Sequence, residues 1–211
     1  KGVKVGASEG AWTQLTPSPA PGSRDGHQLV YIGGGNIFIA WDHTSAFSLE
    51  SWRYNAPGNW WTPRANFCGA SRAQGAAAYD SQSGLAIFHG GQFSAGGGVA
   101  ETWSYSDTGA GTWTNRGTAG PGVRFWHAMA YDSQSDRTVL FGGTNATRNS
   151  NSSANFSDTW VYHADAGANG TWTQMTPTGV PALPPPANSH PMVYNSDADR
   201  VIMVLAGASQ G

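Results

Sequence analysis

An all-β fold made of repeated four-stranded units is predicted by three markers that recur in phase along the 211 residues. The dipeptide Trp-Thr stands at Trp12-Thr13, Trp61-Thr62, Trp113-Thr114 and Trp172-Thr173. A Trp-x-Tyr triplet falls between successive copies, at Trp52/Tyr54, Trp103/Tyr105 and Trp160/Tyr162. An apolar segment ends in Tyr31, Tyr79, Tyr131 and Tyr194. All seven tyrosines and seven of the ten tryptophans occupy these positions, so the aromatics are placed by the repeat. A period of about 50 residues with four short apolar segments per unit marks a propeller blade and not a solenoid.

The elements follow in order, with the strands of each unit termed a, b, c and d. Ala11–Thr16 reads as a lone outer strand d. The first unit places strands at about 28–32, 36–41, 50–54 and 60–62, and the second at about 74–79, 85–89, 102–105 and 112–115. In the third, apolar His127–Tyr131 meets the turn Asp132-Ser-Gln-Ser-Asp136, and the β-branched run Thr138–Phe141 ends in Gly142-Gly143. Thr159–Tyr162 and Trp172–Met175 complete that unit. A fourth shows only strand a at about 190–194 and strand b at Val201–Ala206. One propeller domain over 1–211 results, with blades at about 24–62, 72–115 and 124–175, a partial blade at 188–207, and 11–16 outside them.

Such a strand count leaves three arrangements open: a fragment, a subunit whose propeller is completed by a second chain or missing segment, or a four-bladed ring closed by the N-terminal strand. An open apolar edge such as Val201–Leu205 is an aggregation hazard that native proteins cover. Self-closure would leave a three-stranded blade, because no strand c is visible before Ala11. A fragment or multi-chain ring is therefore expected, and Lys1 in place of methionine suggests a mature or excised piece.

Charged residues are 11% of the chain and the net charge is −2, which excludes a basic nucleic-acid footprint. The longest apolar stretch falls far short of the roughly 20 residues of a membrane span, and no signal segment stands at the start. Cys68 is the only cysteine, so no disulfide forms within the chain. Asn145, Asn151, Asn155 and Asn169 each begin an Asn-x-Ser/Thr triplet, three of them in one polar loop. With only two lysines, this pattern points to an extracellular or cell-surface glycoprotein.

The unit Arg-x-x-His-(apolar)-Tyr-Asp…Phe-Gly-Gly…Asp-Thr-Trp-x-Tyr…Trp-Thr, nearly complete at Arg124, His127, Tyr131, Asp132, Phe141-Gly142-Gly143, Asp158, Trp160, Tyr162 and Trp172, resembles the kelch repeat. The likeness covers about 12–207 and implies a kelch-type β-propeller, three complete four-stranded blades plus an incomplete fourth. The first unit departs from it with Ile39-Ala40-Trp41 in place of Phe-Gly-Gly, the fourth has Ala206-Gly207 and Asn188 near the place of the arginine, and Gly75 stands where the other three units have histidine. Kelch propellers serve as docking modules, lectin-like domains and oxidase scaffolds, so function rests on the site.

Alternation of strand direction brings the b–c and d–a loops to one face, where the long insertions Thr144–Ser157 and Pro177–Ser189 lie. Arg24, Arg72 and Arg124 recur before strand a, and Glu50, Glu101 and Asp158 before the tryptophan of strand c. One cation and one anion per blade suit a structural guanidinium–carboxylate bridge better than a ring of ligand contacts. His27, His127 and His190 begin strand a and read as neutral caps of the inner strands, with no metal assigned. Phe125-Trp126 has no counterpart in the other units, so Trp126 reads as a platform for a sugar ring or protein partner. The candidate ligand-binding set is Trp126, Phe125, His127, Arg124, Arg72 and Arg24.

No nucleophile, phosphate-loop or zinc motif is present. The expectation is a non-catalytic extracellular module that binds a protein or glycan ligand through the b–c/d–a face and needs no cofactor. The alternative is a fragment of a galactose-oxidase-like copper radical oxidase, to which Phe67-Cys68-Gly69 bears a faint likeness. That resemblance implies a cysteine–tyrosine cross-link, a second tyrosine and two histidines at copper.

Overall fold

The computed structural model describes residues 2–5, 12–34, 36–41, 49–93, 96–145, 155–176 and 184–205, and all its regular structure is strand. Three antiparallel four-stranded sheets follow one another. They contain β3 to β6 (Gln28–Tyr31, Asn36–Ala40, Ser51–Asn55, Trp60–Arg64), β7 to β10 (Ala76–Asp80, Leu85–His89, Thr102–Ser106, Thr112–Gly117) and β11 to β14 (Ala128–Asp132, Arg137–Phe141, Thr159–His163, Thr171–Met175). In each sheet strand order equals chain order. The hairpin β15 (Met192–Asn195) and β16 (Arg200–Met203) forms a two-stranded sheet after them. Among the described residues no helix is long and apolar enough to cross a membrane.

The first strands of successive sheets lie side by side, β3 by β7, β7 by β11 and β11 by β15, as in propeller blades around an axis. Between sheets lie two apolar layers. One joins Val30 and Phe38 of the first sheet to Phe88, Trp103, Tyr105 and Trp113 of the second, with Phe38 stacked on Tyr105 at 3.9 Å. The other joins Ala76, Ala78 and Ile87 of the second to Met129, Leu140 and Tyr162 of the third. In each layer residues of strands a and b of one blade meet the strand-c tyrosine of the next, Tyr105 or Tyr162. Stability in such a stack comes from neighbouring interfaces.

The first strand of the chain departs from expectation. Ala11–Thr16 is not alone: β2 (Trp12–Leu15) pairs with β1 (Gly2–Val5), Val5 opposite Trp12. The strand c missing from the sequence reading is therefore present. Gly-Val-Lys-Val is short and carries no tryptophan or tyrosine marker, which is why the repeat did not reveal it. Neither β1 nor β2 pairs with β16, and β16 ends at Met203 instead of reaching Ala206, which lies outside the described residues.

The hairpin turns between strands a and b share one device. Asp80 Oδ1 accepts from the backbone N–H groups of Gln82 and Ser83, Asp132 Oδ1 from those of Gln134 and Ser135, and Asn195 Oδ1 from those of Asp197 and Ala198. A short side-chain acceptor that closes its own turn explains the Asp or Asn after Tyr79, Tyr131 and Tyr194; the first blade has Ile32 after Tyr31 instead.

Candidate functional site

The residue before strand a has the same left-handed backbone in all four units: Gly26 at φ 59°, Gln74 at 62°, Trp126 at 55° and Ser189 at 54°. Their main chains are linked blade to blade. Gln74 N–H donates to Gly26 O at 2.9 Å, Trp126 N–H to Gln74 O at 2.7 Å, and Ser189 N–H to Trp126 O at 2.7 Å. A non-glycine residue in this region costs on the order of 1 kcal/mol and persists only where the surroundings enforce it, as these links do. These residues line a cavity of about 570 Å³ on the b–c/d–a face, shared with His27, His127 and His190.

The histidines do not converge on the axis. A Cβ at Gly90 would stand 3.0 Å from His127 Cε1, and one at Gly142 would stand 3.0 Å from His190 Cε1. Each imidazole therefore wedges against the first glycine of the Gly-Gly pair in the preceding blade. Burial drives the pKa of His127 well below the ordinary histidine value and lowers that of His190, so both are neutral at physiological pH. Among the described residues no three His, Cys, Asp or Glu side chains come together in a metal-holding group.

The first and second blades meet differently, and two departures from the repeat turn out to be one. Pairing places Trp41 just beyond Ala40 as Gly90 stands beyond His89 and Gly142 beyond Phe141. Trp41 keeps their left-handed backbone, with φ at 64° against 66° and 68°. Its indole is 1% exposed and fills the space that histidine takes elsewhere, so a Cβ at Gly75 would overlap the ring. Glycine and histidine have been exchanged for tryptophan and glycine. Trp41 is thereby a core residue.

The arginines are spent inside the blades. Arg124 makes a bidentate bridge to Asp158, Nη1 to Oδ1 and Nη2 to Oδ2, both 2.9 Å, and lies over the Phe156 ring at 4.5 Å. Arg72 Nη2 donates to Glu101 at 2.6 Å, and Arg24 Nη2 to Glu50 at 3.5 Å. A further donor to each carboxylate was not foreseen: the indole N–H of Trp52 donates to Glu50, that of Trp103 to Glu101, and that of Trp160 to Asp158. The spacing carboxylate-x-Trp was its available signal. Burial alone would raise the Glu101 and Asp158 carboxyls, yet the arginine and indole donors outweigh it and hold both below their ordinary values.

Phe125 is also inside. Its backbone bridges to Thr144 as Ala73 does to Gln92, and its side chain is wholly buried. Phe125, Arg72 and Arg124 are thus occupied within the fold, and Arg24 lies largely buried away from the cavity mouth, in a groove on the first blade. Trp126 and His127 remain at the cavity, with the Trp126 indole half-buried in its wall. Gln74 was missed by sequence reasoning: it lines the cavity, is 9% exposed, and its Oε1 meets no hydrogen-bond donor. A buried acceptor left unmatched costs about 1–3 kcal/mol.

Cys68 is exposed in the connection after β6. The hydroxyls of Tyr54, Tyr105, Tyr131, Tyr162 and Tyr194 bond to residues of the a–b and c–d turns, at the rim opposite the cavity. Asn145 and Asn169 are exposed, Asn155 is half-buried with its Oδ1 accepting from Asn188 at 2.7 Å, and Asn151 lies outside the described residues. No protein-family model and no curated protein matches the chain.

Proposed function

We propose that the chain is a non-catalytic, extracellular interaction module of kelch type that holds a glycan at the cavity on the b–c/d–a face. The observation that carries this reading is one cavity lined both by the half-buried Trp126 and by Gln74, whose Oε1 meets no donor. A buried neutral acceptor next to an aromatic wall suits a ligand that offers hydroxyl donors along its edge and C–H groups on its face. His127 and His190 are held neutral by burial, so their part of the wall favours an uncharged ligand. Exposure of Asn145 and Asn169, each the first residue of an acceptor triplet, supports the extracellular setting.

Binding is tested by titrating the protein with a panel of neutral mono- and oligosaccharides, followed by tryptophan fluorescence and calorimetry. Trp126→Asn and Gln74→Asn keep a residue that tolerates the left-handed backbone. Each is expected to weaken binding about tenfold or more, with the unfolding midpoint unchanged within a few degrees. Absence of any saccharide response, or a response indifferent to both variants, would refute the glycan reading.

A further inference from the structure

Successive blades also meet through strand d, the outer strand, from which an arginine reaches the c–d turn of the following blade. Between the first and second blades this is Arg64, three residues after Trp61. Its Nε lies 2.9 Å from Asp107 Oδ1, and its Nη2 donates to Asp107 O at 2.8 Å and to Gly109 O at 2.6 Å. Arg53 Nη1 donates to Asp107 Oδ2 at 2.9 Å, so both oxygens of that carboxylate are held by guanidinium groups. Arg116, three residues after Trp113, repeats the approach between the second and third blades. Its Nη1 donates to Ala168 O at 3.0 Å and its Nε to Ser104 Oγ at 2.8 Å. Ala168 stands four residues before Trp172, as Gly109 stands four before Trp113.

The carboxylate is what the second junction lacks. Asp107 stands two residues after Tyr105, and two residues after Tyr162 stands Ala164, which is buried. Among the described residues no ion pair reaches Arg116, from the neighbouring Asp165 or any other acid, and neither of its two hydrogen bonds uses Nη2. The backbone differs as well. At the first junction Ala65 N–H donates to Ala110 O at 3.0 Å and the Trp113 indole to Ala65 O at 3.2 Å, which closes the seam. At the second, a β-bulge between Asn115 and Gly117 turns the segment back on itself. Gly117 N–H goes to Asn115 Oδ1 at 2.7 Å, and the Trp172 indole donates to Thr102 at 2.9 Å. The chain returns at Gly120, where a Cβ would overlap the Trp172 ring. A pocket of about 490 Å³ is left in the seam, with Arg116, Thr118, Asn169 and Thr171 among its walls.

We propose that this seam is a second binding site, for the carboxylate of a small acid, which takes the part that Asp107 plays at the first junction. Nε and Nη1 of Arg116 are tied to the protein, so the guanidinium plane is set in advance and Nη2 meets a ligand without the entropy loss of ordering a long side chain. Thr118 in the same wall adds a hydroxyl donor. One guanidinium with no second cation in the wall matches a single negative charge, which favours a carboxylate over a phosphate dianion. The pocket shares no lining residue with the cavity of Gln74 and Trp126, so the two sites stand or fall separately.

Acetate, glucuronate and neutral glucose are the probes, titrated at constant ionic strength and followed through the backbone amide resonances of Gly117, Thr118 and Gly170 in nitrogen-15 spectra. Both acids should shift these resonances to saturation, and glucose should not. Tighter binding of glucuronate than of acetate would assign the ligand to an acidic sugar, and equal binding to a simple carboxylate. Arg116→Gln keeps a donor but no charge and should weaken both acids about tenfold or more, since a charge-assisted bond is roughly twice as strong as a neutral one. Arg116→Lys should weaken them less, and Trp126→Asn should leave them unchanged. The same spectra report whether each variant is folded. Acids that shift these resonances no more than glucose does, or acid binding that survives Arg116→Gln undiminished, would overturn the proposal.

Discussion

The exchange between Trp41 and Gly75 yields a double-mutant cycle whose outcome the structure sets in advance. Trp41→Gly removes an indole that is 1% exposed and packs on Phe67 and Phe88 at centroid distances of 5.8 and 5.0 Å. A cavity of that size costs about 3–5 kcal/mol, offset by about 1 kcal/mol because glycine relaxes the left-handed backbone. Gly75→His alone drives a side chain into the indole and costs about 1–3 kcal/mol or more by overpacking. Combined, the two changes restore the glycine–histidine contact found at Gly90/His127 and Gly142/His190. A Cβ at position 75 would still approach His89 O at 2.7 Å, so recovery is incomplete and the coupling is the quantity to read. The double variant is expected to be more stable than the sum of the single losses by about 2 kcal/mol, within the range for contacting residues. Urea unfolding followed by far-UV circular dichroism measures this without the fluorescence change caused by losing an indole. Additivity within about 0.5 kcal/mol would refute the view that the two residues form one exchanged contact.

Two further outcomes follow from the arginine bridges and the buried histidines. Arg124→Met strands the Asp158 carboxylate and should cost about 3–5 kcal/mol, whereas Glu50→Gln, at a pair 3.5 Å long with Glu50 half exposed, should cost less than about 1 kcal/mol in the same urea assay. Burial lowers the pKa of His89 from 6.5 to about 3 and depresses that of His127. Because the unfolded chain takes up these protons first, the stability they confer is present above about pH 6.5 and falls as pH drops toward 3, at up to about 1.4 kcal/mol per pH unit per histidine. The depressed carboxyls of Glu101 and Asp158 add to the loss only below about pH 4.5. Thermal midpoints should therefore begin to decline near pH 6; a flat profile down to pH 4.5 would contradict the neutral buried state.

Strand positions and bridge partners were legible because both repeat at fixed spacing: Trp61, Tyr105 and Arg124 each announce their element by position. What was not legible depends on contacts between blades. Phe125 looked like a rim aromatic, but it lines up with Ala73 of the second unit, which is likewise buried. Trp41 and Gly75 are 34 positions apart and read as separate irregularities until packing joined them. Gln74 carried no signal at all, since a glutamine next to a glycine matches no motif, and only the cavity gives its oxygen a meaning.

The left-handed residue at the cavity mouth separates what the scaffold needs from what a ligand meets. What recurs in the scaffold is the main chain of Gly26, Gln74, Trp126 and Ser189, whose N–H and C=O groups tie one blade to the next. Their side chains are free to differ, and they do: none, an amide, an indole and a hydroxyl. The mouth behaves as a short text of four letters written on a fixed line. Rewriting one letter with Gly, Asn or Asp, which accept that backbone most readily, should alter what is held there without disturbing the blades behind it.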